Sequence, residues 1–335
     1  MDLSVVVPTL NGRDVLAVTL DALGAVAPDA EVVVVNGPST DGTSGMVRDH
    51  DAADVLVEVA ERNINAGRNA GIAAATGDVV AFVGEDTRVE ESWLDGLRDA
   101  IEKGVDVVTG PTHREVTAGV TTETMETRSL AGRDVRFFDG GNVAFTRAML
   151  DSLDGFDEYL TTGGARDAAH RVAGMGNTVA WRPSMSVLRE ERDDVPDRIA
   201  GAADGPVVGI KYCALAYRLA KNYGPRPTVV TRTTRHAILD AFSGAKAVLK
   251  GDQTPSSWFG EGRAVVTSSV RGTKDGLVAR AADRSPRRNP NGISSRDDRA
   301  VETYDLRRRR GRARRRVARG SSRRRAPSRP RARRG

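Results

Sequence analysis

Five short runs rich in β-branched residues recur through the first third of the chain, and each of the first four is followed by a stretch suited to a helix. The runs are LSVVVP (3–8), EVVVV (31–35), DVLVEV (54–59), DVVAFV (78–83) and VDVVT (105–109). Between them lie GRDVLAVTLDALGAV, DGTSGMVRDH, AGRNAGIAAAT and EESWLDGLRDAIEKG. Runs this short and this apolar read as strands buried on both faces. Parallel neighbours need a crossover between them, and the intervening segments are long enough to supply one. The alternation predicts an α/β fold: a mostly parallel, Rossmann-like sheet flanked by helices, with its ligand beyond the carboxyl ends of the strands.

The residues at those strand ends are polar. The first strand runs into Pro8, Thr9, Leu10, Asn11 and Gly12, the second into NGPSTDGT (36–43), and the fourth into Gly84, Glu85, Asp86 and Thr87. Each loop alone reads as a turn or a helix cap. Gathered on one sheet edge, they predict a site for a polar, anionic ligand. No GxGxxG follows the first strand and no GxxxxGK[ST] occurs, so neither a dinucleotide fold nor a P-loop is indicated.

Four stretches in order, SVVVPTLNG, EVVVVNGPSTDGT, NINAGRNAGIAAATGDVVAFVGEDT and FFDGGNVAFTRAMLDSLDGFDEYLTTGGARDAAHR, resemble the GT-A glycosyltransferases of family 2 over about residues 3–182. The resemblance implies an inverting enzyme that uses Mg2+ or Mn2+ to move a sugar from a nucleotide-diphosphate donor to a glycan, lipid-linked or protein-linked acceptor. It places Pro8, Thr9, Asn11, Asn36, Ser39, Asp41, Arg68, Glu85, Gly141 and Asn142 around the nucleotide sugar. Asp86 becomes the metal ligand and Asp167 the base that takes the acceptor proton. The chemistry is coherent: negative charge grows on the leaving diphosphate, and a hard cation needs only one or two carboxylates besides phosphate oxygens. Three departures stand out. Asn36 and Gly37 replace an acidic pair that reads the base, Gly84 replaces the first acid of the metal motif, and Arg166 precedes Asp167 where the family has Glu. The Gln-x-x-Arg-Trp signature of processive synthases is absent, which points to single-sugar transfer.

Charge divides the chain. The last 30 residues hold sixteen arginines and no acid, whereas the rest carries 35 basic against 45 acidic residues, only six of them lysine. Such an acidic, lysine-poor body suits solubility in concentrated salt. The tail cannot build a core and reads either as a polycationic arm or as the product of a shifted reading frame. Expected boundaries are a GT-A domain over 1–200, a helical region over 201–285, and a disordered end over 286–335. The helical region includes VVGIKYCALAYRLAKNYG (207–224) and TVVTRTTRHAILDAFSGAKAVLKGD (228–252), which read as helices packed on the domain or lying on a membrane surface. One cysteine, Cys213, four scattered histidines and no apolar run of about 18 residues fit a cytoplasmic protein, at most peripheral to the membrane. Two other function classes stay open: a catalytically silent relative that binds nucleotide sugar or a partner enzyme, and a nucleic-acid binder acting through the tail. The acidic body argues against nucleic acid.

Overall fold

A computed structural model of the chain describes residues 1–116, 119–190, 207–226, 255–283, 285 and 287–307. The segment 228–252 and the arginine tail from 308 lie outside the described residues.

The first half runs β1 (Leu3–Thr9), α1 (Arg13–Val26), β2 (Glu31–Asn36), α2 (Thr43–Asp49), β3 (Val55–Val59), α3 (Ile64–Ala74), β4 (Val79–Val83), β5 (Thr87–Val89), α4 (Trp93–Glu102) and β6 (Val107–Thr109). Each expected run is a strand, and each intervening segment is a helix. There follow β7 (Thr112–Val116), β8 (Gly119–Glu123), β9 (Thr127–Leu130), β10 (Arg133–Arg136), β11 (Asn142–Thr146), α5 (Arg147–Leu153), α6 (Gly164–Gly174), β12 (Ala180–Trp181), β13 (Val187–Arg189), α7 (Val207–Tyr223), α8 (Pro255–Ala282) and β14 (Ala300–Asp305).

Eight strands form the main sheet in the order β12-β6-β11-β4-β1-β2-β3-β14. Neighbours β4, β1, β2 and β3 are parallel, as is β12 with β6, while β11 and β14 run antiparallel. Strand alternation divides the core. Val6, Val33, Val80 and Phe82 face one side with Ile72, Leu150 and Phe156, while Val5, Val7, Val34 and Ala81 face the other with Leu16, Leu20, Trp93 and Leu97. Each Val, Leu, Ile or Phe among them contributes roughly 1.5–3 kcal/mol on burial. Gly71 lets α3 lie close on β1, because a Cβ there would meet Val6 Cγ1 at 2.3 Å.

One expectation is corrected. Residues 287–305 are not a disordered end: they fold back, and β14 extends the sheet by pairing with β3, with Tyr304 opposite Leu56. Backbone pairing along an open edge explains what side-chain composition alone did not suggest. Helix α7 is packed on the domain, the first of the two alternatives for the helical region. Tyr212, Ala216, Tyr217, Leu219 and Tyr223 are buried, and α7 packs against α8 and α6. Among the described residues no helix is long and apolar enough to cross a membrane.

Candidate active site

A cleft of about 1070 Å³ opens at the carboxyl ends of β1, β4 and β6. Its wall includes Pro8, Arg68, Gly84–Asp86, Phe137–Gly141, Thr161–Arg166, Arg189 and Glu190. Beside it lies a small, mostly apolar slot lined by Leu10, Val35, Gly37, Val59 and Glu61, which shares Pro8 and Ile64 with the cleft. Of the residues expected at the site, Pro8, Arg68, Glu85, Asp86 and Gly141 line the cleft, and Thr9 lines the slot.

Arg68 projects from α3 and is only 7% exposed. It donates to Asn65 Oδ1 (3.0 Å) and to the Gly140 carbonyl (3.0 Å). Burial lowers its pKa to about 10, against the opposing pull of Asp139, so it stays cationic at neutral pH. Asp139 accepts from Arg189 Nη2 (2.6 Å) and from the Gly141 N–H (2.9 Å). Burial raises its pKa, but Arg189, the Gly141 amide and Arg68 outweigh that and hold the carboxyl below its ordinary range. Arg189 also places Nε 3.6 Å from Asp86 Oδ1, so one guanidinium stands between two acids.

Glu85 is spent on the scaffold. Its Oε2 accepts from Thr9 Oγ1 (2.5 Å) and the Leu10 N–H (3.1 Å), and only 6% of the residue is exposed. Gly12 is required here, since a Cβ would stand 2.3 Å from that oxygen. Glu85 thus tethers the β1 loop to the β4 loop from its place on the cleft wall. Asn11, Asn36, Ser39 and Asp41 lie outside the walls of both the cleft and the slot. They form a lattice between two loops. Asn11 has a left-handed φ of 52°, its N–H donates to Ser39 Oγ (2.8 Å), Ser39 donates to Asn36 Oδ1 (2.6 Å), and Asp41 accepts from the Arg13 N–H (3.0 Å). Asn142 is fully buried, accepting from Trp93 Nε1 (3.0 Å) and donating to the Met185 carbonyl (2.9 Å). It braces the strand rather than a sugar.

Asp167 is the largest correction. It lies in the first turn of α6 with no exposure, clamped by Arg171 (2.8 Å), Lys221 (2.8 Å) and Asn222 (2.8 Å). Burial pushes its pKa up, but Lys221 and then Arg171 overcome that and bring it to about 2. A carboxylate so placed neither reaches the cleft nor takes a proton near neutral pH. Arg171 is buried too, donating to the Leu153 (2.7 Å) and Gly155 (2.8 Å) carbonyls, and His170 meets Tyr223 (2.7 Å). The i, i+4 spacing of Asp167 and Arg171 was the available sign of a structural pair.

Sequence reading missed Arg189 and Glu190 on the cleft wall, along with Glu126. No local signal marks them, since they come from segments outside the recurring strand ends. Glu126 accepts from Arg166 (2.7 Å) and Arg128 (2.8 Å). Burial raises its pKa, and the two arginines more than reverse that.

The donor set suits a divalent cation poorly. Glu85 Oε2 is bonded to Thr9 and Leu10, and Asp86 shares Arg189 with Asp139. A cation beside Asp86 would sit near a guanidinium, and two unit charges 4 Å apart repel by about 4 kcal/mol in a partly screened protein environment.

The architecture has known counterparts. The chain is similar to the Pyrobaculum calidifontis mannosyltransferase PcManGT, solved with GDP-Man and Mn2+, at a TM-score of 0.50 and 19% identity over 82% of this chain and 87% of that one. It is also similar to residues 1–349 of S. aureus TarS, solved with UDP-GlcNAc, at a TM-score of 0.57 and 16% identity over 85% and 92% of the two chains. The mixed sheet with its flanking helices is the GT-A glycosyltransferase fold. Residues 4–152 match the model for glycosyl transferase family 2. Over 115 residues the chain is 31% identical to the glycosyltransferase AglE of Haloferax volcanii, covering 32% of this chain and 38% of that protein. It is 27% identical over 113 residues to the Streptococcus pneumoniae glycosyltransferase GlyA, covering 32% and 16%. The matched region thus spans less than half the length of either relative.

Proposed function

We propose that this protein moves one sugar from a nucleotide-diphosphate-sugar donor to a glycan, lipid-linked or protein-linked acceptor in the cytoplasm, with inversion at the anomeric carbon. The observation that carries this reading is the cleft of about 1070 Å³ at the carboxyl ends of the strands, roomy enough for a nucleotide sugar, whose wall presents Arg68 and Arg189, which suit a diphosphate. The GDP-Man and UDP-GlcNAc complexes of the similar folds support the donor class.

In direct displacement the acceptor oxygen bonds to the anomeric carbon as the sugar–phosphate bond breaks. The bonding pair leaves on the diphosphate, and the acceptor proton goes to a base. The two arginines meet the growing charge. With Asp167 out of reach, we assign the proton to Glu190, which lies on the cleft wall and whose N–H donates to the Asp86 carbonyl (3.0 Å). Burial of Asp167 favours a second reading, a silent relative that binds donor without turnover. Calorimetric titration of the full chain with UDP, GDP and TDP in molar salt, followed by assay for sugar release or transfer, separates the two. Selective binding of one nucleotide with turnover of its sugar is the expected result; binding alone leaves the silent relative, and no binding to any of them overturns the donor site.

A further inference from the structure

We propose that Arg189 takes the place of a divalent cation: its guanidinium neutralises the leaving diphosphate, and the donor is bound without a metal ion. The inference rests on the reading of the cleft as a nucleotide-sugar site and concerns how that site handles charge.

Backbone register puts Arg189 there. Strand β13 pairs antiparallel with β5 so that Arg189 lies opposite Thr87, the residue after Asp86, and it pairs parallel with β7, where Arg189 is opposite Arg114. The Glu190 N–H bond to the Asp86 carbonyl (3.0 Å) continues that pairing past the strand end. The two ladders fix the backbone from which the side chain leaves, and Asp139 holds its head at 2.6 Å. Room for its head is also built in, since a Cβ on Gly141 would stand 3.1 Å from Arg189 Nη2.

The electrostatics match the task. The acid expected to hold the metal, Asp86, already faces Arg189, and Asp139 faces the same guanidinium. Gly84 leaves the metal motif one acid short, and Glu85 is bonded to Thr9 and Leu10. Arg189 and buried Arg68 together bring two positive charges, the formal charge of one divalent ion. A guanidinium has five N–H donors in a planar fork, so holding Asp139 through Nη2 is compatible with further bonds to phosphate oxygens.

The test is calorimetric titration of the full chain with GDP and UDP, in EDTA and then in Mn2+, for the wild type and for Arg189→Ala, Arg189→Lys and Asp86→Asn. Electron paramagnetic resonance follows Mn2+ beside it. In the wild type the nucleotide affinity should differ by less than about threefold between EDTA and Mn2+, with no protein-bound Mn2+ signal. Arg189→Ala should lose about tenfold or more, the loss of roughly one charge-assisted bond. Arg189→Lys should keep part of it, and Asp86→Asn should bind at least as well as the wild type. Binding that appears only with Mn2+ and vanishes in Asp86→Asn overturns the proposal while leaving the donor site intact. No binding in either condition sinks the donor site itself and the proposal with it. Should Arg189→Ala fail to fold, the wild-type comparison and Arg189→Lys still decide.

Discussion

Asp167 and Glu190 show how one residue type divides into two jobs by location. Asp167 sits among Lys221, Arg171 and Asn222 with no exposure, so replacing it strands buried cations. Asp167→Asn should cost about 3–5 kcal/mol of stability, measured by urea unfolding. Its carboxyl titrates at about 2 in the folded state, below the unfolded value near 3.9. The stabilisation is therefore complete above about pH 4 and is withdrawn as the pH falls toward 2. An acid titration in which Asp167→Asn and wild type lose stability in parallel would contradict this. Glu190→Gln is expected to do the opposite: nucleotide affinity and melting temperature stay level while the transfer rate falls by about a hundredfold or more. A rate unchanged in Glu190→Gln removes it as the base.

At the level of elements, polar bonds decide how the helices seat on the sheet. Asn63, Asn65 and Asn69 at and along the start of α3 donate to the Glu158, Leu160 and Phe156 carbonyls, fixing the loop that leads to the cleft wall at Thr161. Lys221 of α7 bridges Asp157 and Asp167 and so ties α7 to α6 and to the loop before it. Strand β14 does comparable work at the opposite edge, where Leu306 joins the core and Arg307 pairs with Glu31 (3.0 Å). Ending the chain at Arg299 should bare the β3 edge, lower the melting temperature and speed amide exchange at Val55 and Val57, while the cleft keeps its nucleotide affinity. Unchanged exchange in β3 would show that β14 contributes nothing to that edge.

The whole molecule is electrostatically divided, with an acidic body and an arginine-rich end. Deleting residues 308–335 should leave nucleotide affinity in molar salt unchanged and abolish any DNA association, which in the full chain should weaken steeply as salt rises. Salt-insensitive DNA binding that survives the deletion would assign that property to the body instead. The strands, the crossover helices and the sheet edge that carries Pro8 and Asp86 were legible in the residues alone, because the residue pattern and the need to cross over between parallel strands are local constraints. The sequence could not say which polar side chains at that edge face the cleft. Asn142 and Asp167 have the right chemistry and point into saturated bonds, while Arg189 arrives from a hundred residues further along the chain through the pairing of β13 with β5. The tertiary structure decided these outcomes, because a side chain's partners depend on long-range register and on which charges are buried beside it, and neither is written in the neighbouring residues.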